Sequence, residues 1–308
     1  MRRILALVAL VIPVQLLAAA PQTGIWWNSN QAGRGYSIDV QGSTLVMISY
    51  AYGPDGRMQW YYADGPLQNG GARWSGTLYK FDFGQPLGGP YVPPVNVGTE
   101  GVATIDFISR TSGTLTLPNS SPTSIVRYNF GVGGAPQALL GDWIYVYTIG
   151  SSNFSERFLY TTILSATSTG NGVVSTSNGN GGAELQVSGT LAGQVAAVHL
   201  SSTGAILDGY LWTPYLEEGR GAWVSQTTNT LYPLWAYRIV SPSGISKVAG
   251  STPASTLDEA EKLGGAVERK GISIEELMAQ DPVRGRVVME IRDRLLEHRA
   301  AMQRTSSP

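Results

Sequence analysis

The sequence predicts an all-β protein, an antiparallel meander closed in the manner of a barrel in two related β domains, with a short C-terminal α-helical appendage. Three observations predict this class. Short segments rich in β-branched and aromatic residues alternate with Gly, Pro, Asn and Ser over residues 24–241. The motifs that open and close this part each occur twice. The last 58 residues are rich in charge and contain no aromatic residue.

Residues 1–20, "MRRILALVALVIPVQLLAAA", have the features of a secretory signal peptide. Arg2 and Arg3 precede an apolar core that ends in three alanines, and the segment is too short to span a membrane. The chain has no cysteine, so it can form neither disulfides nor the lipidated cysteine of a lipoprotein. We therefore expect a periplasmic or extracellular protein that is stabilised by its core alone.

The first β domain is expected over residues 21–132. The segments "TLVMISYAY" (44–52) and "RMQWYYAD" (57–64) flank "GPDG", which is typical of a hairpin turn. Further strands are expected over 73–83, 101–109, 113–117 and 123–130. Because an open meander would leave long strand edges exposed, we expect the sheet to close or nearly close on itself.

A second β domain is expected over residues 139–241. "GIWW" (24–27) opens the first domain and "GDWIYVY" (141–147) opens the second, while "SIVRYNFG" (124–131) and "LWAYRIVS" (234–241) close them. Both closing segments place an arginine in an aromatic strand. The alternative is a single sandwich built from both segments, and either arrangement is large enough to bury a core.

Residues 24–131 also carry a longer pattern, G-x-W-W-N, a G-x-G-aromatic step, D-G-x-x-x-W, W-x-G-x-L-Y, G-G-P, G-T-L-T and I-x-R-Y-x-F. This pattern resembles a widespread, poorly characterised family of exported proteobacterial β modules. The resemblance implies a β fold and export, and it implies no reaction. The second domain keeps G-x-W but lacks the asparagine and the early G-x-G. The matching positions are Gly24, Trp26 to Asn28, Gly33, Gly35, Tyr36, Asp55, Gly56, Trp60, Trp74, Gly76, Leu78, Tyr79, Gly88 to Pro90, Phe107, Gly113 to Thr116 and Ile125 to Phe130.

The stretch "TGIWWNSNQAGRGYSIDV" (23–40) allows two interpretations. Neighbouring side chains on a strand point to opposite faces, so one of its two tryptophans enters the core and the other stays outside. The glycines around Arg34 permit a bulge or a sharp bend into the next strand. The stretch is therefore either a barrel-closing latch or a ligand cleft lined by Trp27, Asn28 and Arg34, whose guanidinium would stack on a tryptophan.

The aromatic residues indicate a binding function. Consecutive aromatics such as "WYY" (60–62) cannot all face inward, and exposed rings stack on sugar rings or apolar ligands, or pack against a partner protein. The alternative is that they cover a barrel mouth or a domain interface. The predicted ligand-binding residues are Trp27, Asn28, Arg34, Trp60 and Tyr62, and the expected ligand is a glycan or another envelope component.

Signals for catalysis are few, and no catalytic residue, metal ligand or cofactor is predicted. The sequence has no cysteine nucleophile and no Gly-x-Ser-x-Gly motif. His199, the β part's one histidine, is expected to be a satisfied, half-buried strand residue, and the other ligands for zinc are too few. Glu217 and Glu218 would face opposite sides of a strand, so a glycosidase pair would need a bulge. Residues 175–184 predict a flexible hairpin loop rather than a calcium loop.

The C-terminal region is expected to be a linker over residues 242–255 and a helical tail over 256–304. Capping boxes begin at Thr256 and Ser273, and Asp281 followed by proline predicts a third helix start. An apolar stripe follows, with a Glu290–Arg294 pair outside it. We expect this helix to dock on the β part or on a protein partner. The stripe consists of Val287, Val288, Ile291, Leu295 and Met302.

Together these observations predict an exported, non-enzymatic binding or structural protein. The slightly acidic β part, with no basic stripe, argues against nucleic-acid binding. The main alternative is a hydrolase that acts on an extracellular polymer. An outer-membrane barrel is disfavoured because the strands lack a regular lipid-facing alternation and the sequence ends after a helix rather than a strand.

Overall fold

A computed structural model describes residues 20–224, 230–244, 278–279 and 281–305. Its sixteen strands form two closed, eight-stranded antiparallel barrels, and an α-helix follows them. The predicted fold class is confirmed, and the single-sandwich alternative is wrong. Residues 1–19, most of the predicted linker and the capping boxes at Thr256 and Ser273 lie outside the described residues.

The first barrel is an up-and-down meander in which each strand pairs with the next and β1 pairs with β8. The predicted β3–β4 hairpin is present, with the Asp55 carboxylate accepting a hydrogen bond from the Arg57 amide at 3.1 Å. The strands are β1 (Gly24–Trp27), β2 (Gly35–Gln41), β3 (Thr44–Tyr52), β4 (Met58–Gln68), β5 (Arg73–Asp82), β6 (Val95–Ser109), β7 (Ser112–Thr116) and β8 (Thr123–Arg127).

The second barrel has the same topology, and β9 closes it by pairing with both β10 and β16. The hairpin predicted at 175–184 is present, and most of that segment belongs to two short, buried strands, β11 and β12. The strands are β9 (Gly141–Ile149), β10 (Ser152–Ile163), β11 (Val174–Thr176), β12 (Gly181–Leu185), β13 (Val195–Leu200), β14 (Ile206–Tyr215), β15 (Glu218–Val224) and β16 (Leu231–Val240).

The first barrel closes through a tryptophan–arginine latch. Trp26 is fully buried, and its Nε1 donates to the carbonyl of Gln22, four residues earlier, at 3.0 Å. Arg127 lies opposite Trp26 in the β1–β8 ladder and donates to the Thr23 carbonyl at 3.0 Å. Gly24 has a φ of +130°, and a Cβ there would lie 2.1 Å from the Arg127 guanidinium. Of the two interpretations of this stretch, the latch is what the backbone forms.

The second barrel repeats the latch. Trp143 Nε1 donates to the carbonyl of Leu139, again four residues earlier, at 2.9 Å. Arg238 lies opposite Trp143 in the β9–β16 ladder and donates to the Leu140 carbonyl at 3.2 Å. Gly141 takes the place of the first glycine with a φ of +105°. The opening and closing motifs that occur twice in the sequence therefore correspond to a structural repeat.

Alternate residues of each strand point into the barrels and form two separate cores. Burying a large apolar side chain contributes about 1.5–3 kcal/mol, so aromatic cores of this kind can replace disulfides. The second core is the more aromatic. The first contains Trp26, Tyr36, Ile38, Leu45, Met47, Ala63, Trp74, Leu78, Ala103, Ile105, Leu115 and Ile125. The second includes Trp143, Tyr145, Tyr147, Phe158, Tyr160, Tyr210, Trp212 and Trp223.

The helix α1 (Pro282–Thr305) packs on the outer face of the second barrel. Its predicted start is confirmed, because the Asp281 carboxylate accepts a hydrogen bond from the Arg284 amide at 3.0 Å. Four residues of the predicted stripe, Val287, Val288, Ile291 and Leu295, are buried against β13 and its neighbours. None of the described helical residues forms a segment long and apolar enough to cross a membrane.

Polar contacts fix the position of α1. Glu290 accepts hydrogen bonds from the amide and hydroxyl of Ser168 at 2.6 and 2.8 Å, so the predicted Glu290–Arg294 pair is not formed. Arg294 instead lies 3.3 Å from Glu297. Arg299 donates to the Gly179 carbonyl in the β11–β12 turn at 3.1 Å. Of the two expected docking surfaces, the β part is the one that the helix covers.

Candidate functional site

The outer face of the first barrel carries an open groove of about 490 Å³ between β4, β5 and the segment that follows β5. Its floor is Trp60, which is 44% exposed and stacks on Phe81 with ring centroids 5.7 Å apart and an interplanar angle of 14°. Apolar side chains form the walls. The groove is lined by Met58, Gln59, Trp60, Phe81, Asp82, Phe83, Gly84, Gln85, Tyr91, Val92 and Pro94.

Three polar residues, Gln59, Asp82 and Gln85, also line the groove, although strand alternation turns the Gln59 side chain to the inner side of β4. Phe83 at its edge is 75% exposed and has a φ of +62°. A bulky residue in the left-handed region is strained by about 1–3 kcal/mol, and such strain is concentrated at functional sites. The groove thus combines flat aromatic surface, directional polar groups and a strained aromatic residue.

Trp60 and Tyr62 are the two predicted site residues on this face. Inward-facing Ala63 is fully buried, so alternation places Trp60 and Tyr62 on the outer side of β4. Trp60 lines the groove, and Tyr62 lies two residues further along the same strand. Sequence reasoning missed Phe81, which lies in β5. It also missed Phe83 and Tyr91, although the Gly- and Pro-rich run after β5 marks that segment as a loop.

Trp27, Asn28 and Arg34 lie away from the groove. Trp27 is on the outer face of β1, and the ladder runs from it through Gly35 and Tyr50 to Trp60. Three strand spacings therefore separate the two tryptophans, about 14 Å along the sheet. Asn28 accepts a hydrogen bond from the Asn30 amide at 2.8 Å in a turn, and Arg34 donates to Gln31.

The predicted stacking of Arg34 on a tryptophan is not formed among the described residues. The arginines that lie over tryptophan rings are Arg220 and Arg238, at 5.8 Å from the centroids of Trp235 and Trp143. The structure therefore places Trp27, Trp60 and Tyr62 on the outer face of the barrel. Asn28 and Arg34 lie in the β1–β2 connection, so the five predicted residues are not gathered into a single cleft.

The second barrel holds a different cluster at the end where the β9–β10 and β13–β14 hairpins turn. Glu156, His199 and Asp208 all point into the barrel there. His199 Nδ1 lies 3.4 Å from Glu156 Oε2 and 3.5 Å from Asp208 Oδ2. The histidine side chain is 27% exposed, whereas that of Asp208 is 1% exposed.

Aromatic donors hold the two carboxylates of this cluster. Trp223 Nε1 donates to Asp208 Oδ1 at 2.8 Å, and the Tyr210 hydroxyl donates to Glu156 Oε2. Burial favours the neutral imidazole of His199, but the contacts with Asp208 and Glu156 and their negative charge outweigh burial and raise its pKa to about 9. His199 is thus the half-buried strand residue that was expected, but its Nδ1 has no hydrogen-bond partner among the described residues.

Sequence reasoning missed this cluster because its members are far apart along the chain. The ladder pairs His199 with Asp208, and Glu156 reaches them from β10 across the interior. Glu156 and Asp208 each lie in a strand whose sequence alternates between apolar and polar residues. The only sign of a site there is a carboxylate at a position that should face the core. Counting possible metal-ligating residues within one stretch of sequence cannot detect a cluster whose members come from three strands.

Glu184 is a contrasting buried carboxylate whose role is structural. It accepts hydrogen bonds from the Thr167 amide at 3.0 Å, the Gly172 amide at 2.8 Å and the Gln186 amide group at 3.1 Å. A Cβ at Gly170 would lie 1.9 Å from its Cδ. Its oxygens are used to fix the β10–β11 connection.

The chain was compared with protein-family models, curated proteins and solved structures, and none of the three comparisons gave a match.

Proposed function

We propose that this protein is an exported, non-enzymatic binding protein and that the groove of the first barrel holds a glycan of the envelope or of the cell's surroundings. The proposal depends on the half-exposed Trp60, stacked on Phe81 at the floor of the groove. Aromatic faces bind the apolar faces of sugar rings, while amide and carboxylate groups bind hydroxyls. Asp82 and Gln85 supply such groups in the lining of the groove.

This combination favours a glycan over a purely apolar ligand. An apolar ligand would leave the polar groups of Asp82 and Gln85 to lose water without gaining a partner, which costs binding free energy. Two further aromatics of the outer face, Trp27 and Tyr50, extend the same surface along the ladder toward β1. A polymer is therefore a better match to the face than a single sugar.

The test is a glycan-binding screen of the full chain, followed by calorimetry with each glycan that binds. A stacked aromatic contributes about 1–1.5 kcal/mol beyond burial, so Trp60→Ala should weaken binding about 5–10-fold or more. Trp235→Ala is the matched control, because Trp235 lies on the second barrel beneath Arg220. Equal affinities of the two variants, or no glycan bound by the wild-type chain, would contradict the proposal.

The alternative, a hydrolase acting on an extracellular polymer, has one supporting observation. Three ionisable side chains converge at the mouth of the second barrel, and a positioned proton carrier is what general acid–base catalysis requires. Incubating the bound glycans with the full chain and analysing chain length distinguishes the two functions. Binding without cleavage favours the binding protein, whereas cleavage that His199→Gln abolishes favours the hydrolase.

A further inference from the structure

The mouth of the second barrel has the geometry of a metal centre. We propose that Glu156, His199 and Asp208 bind a divalent first-row transition-metal ion, with Zn²⁺ as the reference ion. One ligand atom from each of the three side chains lies within 4.8 Å of the other two. The three residues come from three strands of a closed barrel, so their backbone positions are fixed before any ion binds.

The distances within the cluster suit metal ligation better than hydrogen bonding. A charge-assisted hydrogen bond from an imidazole to a carboxylate measures about 2.7–2.9 Å. His199 Nδ1 is instead 3.4 and 3.5 Å from the two carboxylate oxygens. Zinc–ligand bonds of about 2.0–2.1 Å place tetrahedral ligand atoms about 3.3–3.4 Å apart, which is close to both separations.

A second observation points to a missing ligand for the histidine. His199 Nδ1 is shielded from solvent and has no hydrogen-bond partner among the described residues. A buried polar atom in this condition carries a free-energy cost, and it is directed at the space between the two carboxylates. A metal ion there would bind the Nδ1 lone pair and release to water the proton that the imidazole carries in the absence of metal.

The surroundings supply the outer contacts that metal ligands need. Trp223 fixes Asp208 through Oδ1, which leaves Oδ2 directed at His199. Tyr147 and Tyr210 hold Glu156. Such outer donors orient the ligands, and their loss commonly costs about 10–100-fold in metal affinity.

The ligand set also selects the class of ion. Two carboxylates neutralise the charge of a divalent cation. The imidazole nitrogen favours zinc and its first-row neighbours over Mg²⁺ and Ca²⁺, which prefer oxygen ligands. The site lies on the second barrel and does not depend on the glycan groove, so either proposal can fail while the other stands.

The experiment uses the full, metal-free chain, titrated with Zn²⁺ by calorimetry and observed by NMR of its imidazoles. The chain has two histidines, His199 and His298, which makes the readout specific. We expect one Zn²⁺ to bind per chain and to shift the resonances of His199 alone. The same concentration of Mg²⁺ should cause no shift. No Zn²⁺ binding, or a shift of His298 instead, would overturn the proposal without any variant.

Variants then test the ligands. His199→Gln should abolish measurable Zn²⁺ binding, and Glu156→Gln should weaken it while keeping the shape of the side chain. Trp223→Phe, which removes only the donor to Asp208, should weaken binding about 10-fold. His298→Gln is the matched control and should bind as the wild type does. Binding that survives His199→Gln in a chain with native circular dichroism contradicts the assignment.

Discussion

Replacing Ile291 by alanine tests whether α1 is an integral part of the second barrel. Ile291 is fully buried in a cluster with Val173, Val198 and Leu200 on the outer face of that barrel. Truncation of a buried isoleucine costs about 2–5 kcal/mol, of which part is the lost transfer free energy and part the cavity that remains. Val198 and Leu200 are held by β13 and cannot collapse into the space, so we expect about 3 kcal/mol.

This loss is large enough to measure in two ways. For a domain of this size, each kcal/mol lowers Tm by about 2–4 °C, so the unfolding transition of the second barrel should fall by about 6–12 °C. In urea, the midpoint should fall while the slope stays constant. Tryptophan fluorescence reports the transition, since Trp143 and Trp212 lie in the core beneath the helix-covered wall. Amide hydrogen exchange should rise in peptides from β12 and β13.

Val283→Ala is the control on the same helix. Val283 is 45% exposed, and surface substitutions usually change stability by less than about 0.5 kcal/mol. If the Ile291→Ala and Val283→Ala variants unfold at the same temperature, α1 does not cover the barrel and the reasoning from the buried stripe is wrong. If only the first barrel were affected, the assignment of the helix to the second barrel would be wrong.

Three further predictions follow from local geometry. Gly141→Ala should destabilise the second barrel by about 1–3 kcal/mol in urea, because φ is +105° and a Cβ would lie 2.5 Å from the Val240 carbonyl oxygen. Gly134→Ala, where the space is open, should be neutral. Phe83→Gly should raise the stability of the first barrel by about 1 kcal/mol, since strain is relieved and little buried surface is lost, yet it should weaken glycan binding. The pKa of Asp281 is raised by partial burial but lowered more by hydrogen bonds and charge from Arg284, and it ends below 3.8. The stabilisation from this cap is therefore complete above pH 3.8 and is lost as the pH falls below it, and circular dichroism should show that Asp281→Asn, which keeps the cap, removes this dependence.

The sequence predicted the elements whose cause is local. The Gly-Pro-Asp-Gly turn sets the β3–β4 hairpin through the Asp55 carboxylate, and Asp281 with Pro282 sets the start of α1. The tryptophan pair at 26–27 divides between the two faces because strand alternation requires it. Such features depend on residues within a few positions of each other.

What the sequence did not predict depends on pairing between distant strands. The closed register brings His199 opposite Asp208, and the curvature of the barrel brings Glu156 to both. The Glu290–Arg294 pair failed for a similar reason, because Ser168, from another part of the chain, is a better partner for Glu290. The i, i+4 spacing on a helix does not show that a residue outside the helix competes for the same carboxylate.

The repeated latch has a consequence for how the chain assembles. Each barrel is completed when its first strand meets its last, and the two closures use the same Trp–Arg pairing, Trp26 with Arg127 and Trp143 with Arg238. Tandem domains with like ends are prone to exchange strands during folding. The two latches differ, since the Glu217 carboxylate in the β14–β15 turn pairs with Arg238 at 3.0 Å. That carboxylate favours the correct partner for β16, so Glu217→Gln should increase the fraction of chains that refold into strand-exchanged dimers.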